Sequence, residues 1–170
     1  MTTAVEVLQD AFGRVAEEVH AALDGLSDEE LRWRPDEGAN TIAWLVWHLS
    51  RVEDDHVSEV AGTSQIAASS GWSARLALPF DDADTGWQHS PEQVSQVVAG
   101  GDLLLGYYDA VRDATAAYLA GLSDADLDRI VDDRWDPPVT LAVRLVSVLG
   151  DELQHVGQAG YLRGVIQRSR

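Results

Sequence analysis

Two stretches of this sequence are near copies of each other, and the copying leaves few architectures open to the chain. Gly25-Leu26-Ser27-Asp28 recurs as Gly121-Leu122-Ser123-Asp124, and Thr41-Ile42-Ala43 recurs as Thr140-Leu141-Ala142 at the head of an apolar run. Continued without gaps, the alignment pairs Glu53 with Glu152 and His56-Val57 with His155-Val156. A threonine ahead of an apolar run reads as a helix N-cap, because its hydroxyl can accept from one of the first unpaired backbone N–H groups. The halves therefore read as duplicated helix pairs. Two such pairs joined by a long crossover make an all-α four-helix bundle, in which side chains from facing helices meet in the core.

The remaining pattern agrees with that parse. Val5, Leu8, Phe12, Val15, Val19, Ala22 and Leu23 recur at three- and four-residue steps, an amphipathic helix ending near Gly25. The second helix opens at Asn40 or Thr41, and its run Ile42 to Leu49 is so continuously apolar that it must be deeply buried, with His48 inside it. Between Val60 and Ser90 the pattern breaks into Gly-, Ser- and Asp-rich pieces, the crossover between helices two and three. Trp72, Leu76, Leu78, Phe80 and Trp87 are its expected apolar anchors. Ser90-Pro91-Glu92-Gln93 is a capping box, and the third helix is predicted from there to about Ala120, with Gly100, Gly101 and Gly106 as local weak points or close-packing sites. Pro137-Pro138 precede the fourth helix, which Thr140 caps. Nothing reads as a strand, and residues 1–170 are expected to form one domain.

Composition removes several functions. The net charge of -17 repels phosphate backbones and anionic membrane surfaces, so nucleic-acid and membrane partners are not expected. All 12 basic residues are arginine and the chain contains no cysteine. Lysine Schiff-base chemistry, a cysteine nucleophile and a structural disulfide are thereby excluded, and any thiol chemistry needs a thiol from outside. The first ten residues lack the basic and apolar regions of a signal peptide, and no run approaches membrane-spanning length. A soluble cytoplasmic protein acting on a small molecule is the expectation.

The polar residues that carry chemistry lie in the buried helices. Asp151 and His155, four residues apart, share one helix face and can converge on one point. His48 of the second helix is expected to meet them at one end of the bundle. Two imidazoles and a carboxylate hold Zn²⁺, Ni²⁺ or Fe²⁺ and leave positions open for water or substrate. The competing reading makes His48 a core histidine with Asp151 as its hydrogen-bond partner. Glu152 competes with Asp151 for the carboxylate role but points further round the helix; a solvated or supporting place is expected for it and for Glu53. His56 lacks a carboxylate four residues earlier and reads as solvated or as a pocket-rim residue. His20 and His89 read as surface histidines.

Thr41-Ile42-Ala43-Trp44-Leu45-Val46-Trp47-His48-Leu49, with Asp151-Glu152-Leu153-Gln154-His155-Val156-Gly157-Gln158 and Tyr161-Leu162-Arg163-Gly164, resembles the DinB/YfiT-like superfamily over most of the chain. The similarity is to the branch containing mycothiol-dependent maleylpyruvate isomerase and the thiol S-transferases. That resemblance implies a four-helix bundle with a catalytic divalent metal, zinc first and nickel or iron as alternatives, on His48, Asp151 and His155. It implies a transferase that activates a low-molecular-weight, mycothiol-like thiol for attack on an electrophile. His56, Gln158, Arg163 and Trp44 are then pocket or supporting residues, and Arg163 and the crossover's Arg75 candidates for a substrate carboxylate. Two rivals stay open: metal-assisted hydrolysis or another non-thiol reaction on the same ligands, and a non-enzymatic metal- or small-molecule-binding bundle, a homodimer through an apolar helix face.

Overall fold

The computed structural model describes all of residues 1–170. Its elements in order are α1 (Ala4–Leu23), α2 (Asp28–Leu31), α3 (Ile42–Ala61), α4 (Ile66–Ser69), α5 (Trp72–Leu76), α6 (Pro91–Ser95), α7 (Gly101–Ala120), a 3₁₀ turn (Asp124–Asp128), β1 (Ile130–Asp132), β2 (Val139–Thr140) and α8 (Leu141–Arg168). The four long helices α1, α3, α7 and α8 form the bundle.

Both repeated threonines cap as their position predicts. Thr41 accepts from Trp44 N at 3.0 Å and Thr140 from Val143 N at 3.3 Å. Gly62 ends α3 in the left-handed region at φ 70, where a side chain is strained. Long-range contacts fix the helix directions. His20 meets Asp109 while the start of α1 meets Asp124, so α1 and α7 are antiparallel. Tyr107 meets Asp54 and Tyr118 meets Val60, so α3 and α7 are parallel. His48 faces Asp151 and His56 faces Arg144, so α3 and α8 are antiparallel. A parallel pair joined in sequence must be linked by a chain that travels back a helix length, about 30 Å for 20 residues; the crossover from Gly62 to Gly100 does this.

Four expectations about the fold need correction. The predicted third helix is two helices: α6 stops at Ser95, and α7 starts only at Gly101. The break is set at a distance, since Gly101 N donates to Asp28 Oδ1 at 3.3 Å and a Cβ on Gly100 would lie 3.0 Å from that oxygen. A short antiparallel ladder, Ile130 with Thr140 and Asp132 with Val139, precedes α8 where no strand was expected. Among the crossover anchors Trp72 and Leu76 are buried and Leu78 and Phe80 pack against the core, but Trp87 is 75% exposed. Glu53 and Glu152, expected in solvated or supporting places, are not solvated: both are fully buried. No helix is long and apolar enough to cross a membrane.

Candidate metal centre

His48, Asp151 and His155 come together. One ligand atom from each lies within 4.8 Å of the others. His48 Nε2 is 3.9 Å from Asp151 Oδ2, and His155 Nε2 is 3.5 Å from Asp151 Oδ1. Donors on a tetrahedral ion with bonds of ~2.1 Å lie about 3.4 Å apart; each imidazole comes within about 0.5 Å of that spacing from one of the two Asp151 oxygens, and the cluster as a whole spans no more than 4.8 Å. Asp151 Oδ2 is buried and has no hydrogen-bond partner, which is costly for a carboxylate oxygen unless a cation or proton answers it. The residues present fit a divalent ion.

The two imidazoles are oriented by what their other nitrogen does. His48 Nδ1 donates to the Thr85 carbonyl, which leaves Nε2 free as a ligand atom. His155 Nδ1 donates to Gln158 Oε1 at 3.4 Å, with the same consequence. Burial pushes the His48 pKa down, favouring the neutral form a ligand needs. Burial acts the same way on His155, but the hydrogen bond and charge of Asp151 outweigh it and raise that pKa. A proton would therefore compete with any metal ion for His155.

One wall of the site is the crossover, and sequence reasoning missed how it is held. Arg51, only 3% exposed, donates from Nη2 to the Asp82 carbonyl at 2.7 Å and from Nε to the Asp84 carbonyl at 3.0 Å. Its other bonds go to Gln65 (2.8 Å), Asp54 (3.2 Å) and Tyr107 (3.0 Å). Thus tethered, the loop turns at Gly86, φ 88, where a Cβ would lie 2.9 Å from both His48 Nδ1 and the Trp47 ring. His89, expected in solvent, has a side chain only 3% exposed. It donates to Asp84 at 3.0 Å and accepts from Trp44 Nε1 at 3.2 Å. Trp44 stacks on His48 with centroids 4.6 Å apart and meets His155 edge-on at 6.0 Å. The sequence signal for Arg51 was its place two residues beyond the continuously apolar run Ile42 to Leu49 on the same helix; for His89 there was none.

Other candidates lie elsewhere. His56 Nδ1 accepts from Arg144 Nη1 at 2.7 Å, two turns along α3 from His48. Arg163 donates to the Ala22 and Asp24 carbonyls at the end of α1, and Arg75 stacks over the Trp72 ring, so neither is in the ligand cluster. Glu152 turns away from His155 into the core beside Glu53, leaving Asp151 as the carboxylate of the cluster. Beside Gln158 opens a cavity of about 430 Å³, lined by Asn40, Leu45, Gln154, Gly157 and Tyr161 among others, with no charged side chain in its walls.

The DinB superfamily profile matches residues 11–159. Among solved structures the chain is similar to a conserved protein of locus from Enterococcus faecalis, at 30% identity over 96% of each chain and a TM-score of 0.89. No curated protein matches.

Proposed function

The chain belongs to the DinB superfamily, and on that scaffold we propose a divalent-metal-dependent enzyme that activates a low-molecular-weight thiol, mycothiol-like in kind, for attack on an electrophilic small molecule. The observation that carries the metal part is the convergence of His48, Asp151 and His155 around an unpartnered buried carboxylate oxygen. Zinc suits two imidazoles and a carboxylate best, with nickel or iron accommodated by the same donors. A divalent ion held there supplies a Lewis acid that lowers the pKa of a thiol brought to it.

The chain's own groups do the rest. Thr85 and Gln158 hold the imidazoles with Nε2 forward, and Asp151 places negative charge between them. Trp44 and the Thr85–His89 wall keep water from the His48 side. The thiol is external because the chain has no cysteine, and the uncharged cavity beside Gln158 is the place for its neutral, hydrogen-bonding body.

The test is disappearance of thiol with a model electrophile, using protein loaded with zinc, protein treated with chelator, and a His155→Ala variant. Turnover that needs thiol, metal and His155 together is expected. Turnover of substrate without thiol transfers the same ligands to a hydrolytic reaction and overturns the thiol part. Metal-free protein with full activity overturns the metal part.

A further inference from the structure

We propose that a cleft between α3 and the crossover, behind the wall that His89 builds beside the metal centre, is a second small-molecule site and takes an organic cation with an apolar body. The cleft encloses about 410 Å³ and is walled by Trp47 and Arg51 of α3, by α4 and α5, and by the segment 78–84. None of His48, Asp151 and His155 lines it. The rings of Trp47 and Phe80 stand between, 5.6 Å and 4.7 Å from the ring of His89, which bonds the Trp44 that stacks on His48. The space stays unfilled because α4 and α5 present alanine, glycine and serine to most of it. The site is thus independent of the chemistry at the metal.

The class of occupant follows from an apolar floor and an acidic mouth. Trp47 and Leu76 are buried and Phe80 packs against the core, while Asp81 and Asp82 are exposed and Asp84 is half-buried. Arg51 is the one cation in the walls, and it has nothing left to offer an anion. Its N–H groups go to the Asp82 and Asp84 carbonyls, Gln65, Asp54 and Tyr107, and the Asp54 carboxylate at 3.2 Å answers its charge. The two carbonyl bonds hold the segment against α3 and so bring three carboxylates to one cleft. Asp84 pairs with His89 at 3.0 Å and Asp81 accepts from Ala83 N at 2.9 Å, but neither Asp81 nor Asp82 has a cationic partner. A cation among the three relieves their mutual repulsion, and the net charge of -17 draws cations to the molecule. A bare metal ion would leave the apolar floor uncovered. An alkyl- or arylammonium covers Trp47, Leu76 and Phe80 with its body, turns its N–H donors to the aspartates, and gains from the electron-rich ring faces. The volume is at the lower end of the roughly 300–1,000 Å³ of small-molecule sites, which suits an amine carrying a single ring.

Benzylammonium, benzyl alcohol and benzoate share one ring and differ in charge, which makes them the probes. Each is titrated into zinc-loaded and into chelated protein and followed through the Trp47 indole N–H resonance. Benzylammonium is expected to bind with a Kd of about 1–10 mM, about tenfold more tightly than benzyl alcohol, equally with and without zinc; benzoate should not bind. Asp82→Asn removes a carboxylate that accepts no hydrogen bond and keeps the backbone bond to Arg51, so it should weaken benzylammonium by about 2–5-fold. Asp82→Arg should abolish the preference for the ammonium. Ala74→Phe fills the cleft from an exposed position that folding does not need, and should block binding. Benzyl alcohol binding as tightly as benzylammonium would overturn the cation assignment. Binding lost on chelation would put the amine on the metal instead, and no Trp47 response at about ten times the expected Kd would overturn the site.

Discussion

Replacing Gly86 by alanine isolates the contact that aims His48. Gly86 sits at φ 88, and the new Cβ would lie 2.9 Å from His48 Nδ1, 2.9 Å from the Trp47 ring and 3.3 Å from the Trp44 ring. Backbone strain at positive φ costs about 1–3 kcal/mol, and forcing a methyl into packed, buried neighbours costs about 1–3 kcal/mol more. Loss of glycine's freedom in the unfolded chain returns about 0.4–1 kcal/mol, so the net expectation is about 1–5 kcal/mol, centred near about 3 kcal/mol. Gly62→Ala is the control: φ is 70, but nothing lies within 4 Å of its Cβ, so it carries strain alone, about 1 kcal/mol. Urea unfolding of chelated protein measures both. Zinc titration against a competing chelator should show Gly86→Ala binding about 10–100-fold more weakly, because the carbonyl that orients His48 is displaced. Gly86→Ala as mild as Gly62→Ala, with zinc affinity unchanged, would refute the reasoning.

The other expectations concern the buried charges. Arg51→Met removes five hydrogen bonds, two of them the loop tethers, and a loss of about 3–5 kcal/mol in urea unfolding is expected; Asp54 keeps bonds from Ile66 N, Ala67 N and Tyr107, so a cost under about 1 kcal/mol would mean the tethers are redundant. Glu53 and Glu152 face each other with burial raising both pKa values above the ordinary 4.5. The folded state thus keeps a proton the unfolded chain releases, so stability is fullest below that value and falls as pH rises toward the folded pKa, by up to about 1.4 kcal/mol per pH unit for one proton. Glu152→Gln should flatten this decline in pH-resolved unfolding, and an unaltered slope would place the proton elsewhere. Zinc affinity should fall as pH drops through the raised His155 pKa, since the proton held beside Asp151 must leave; a flat affinity profile across that range would remove His155 from the ligand set.

Much of this fold is local and was readable as such. Thr41 and Thr140 stand directly before apolar runs, and a cap plus a run defines a buried helix without reference to the rest of the chain. Asp151 and His155 share a face by helical spacing alone, and the repeat brings α3, which carries His48, opposite α8. The rest depends on partners far away in sequence. The helix predicted from Ser90 to Ala120 is interrupted because Asp28, on α2, claims the backbone at Gly100 and Gly101. Glu53 and Glu152 read as solvated or supporting residues because Glu152 points further round the helix than Asp151 and Glu53 holds the equivalent place; only when α3 and α8 face each other does each become the other's buried neighbour. His89 lies in an acidic, polar segment that reads as surface, and its burial comes from Trp44 and Trp47 of α3 and from Phe80 of the crossover itself. The short β1–β2 ladder holds three and two residues, too few for an alternating pattern to register.

Metal content of the purified protein, never exposed to a nickel column, measured beside His48→Ala and Asp151→Ala, tests the central claim most directly. About one divalent ion per folded chain, lost in both variants while their helical content persists, is the predicted result. Folded wild type that takes up no metal even after reconstitution would contradict the account and leave His48, Asp151 and His155 as polar residues of the core.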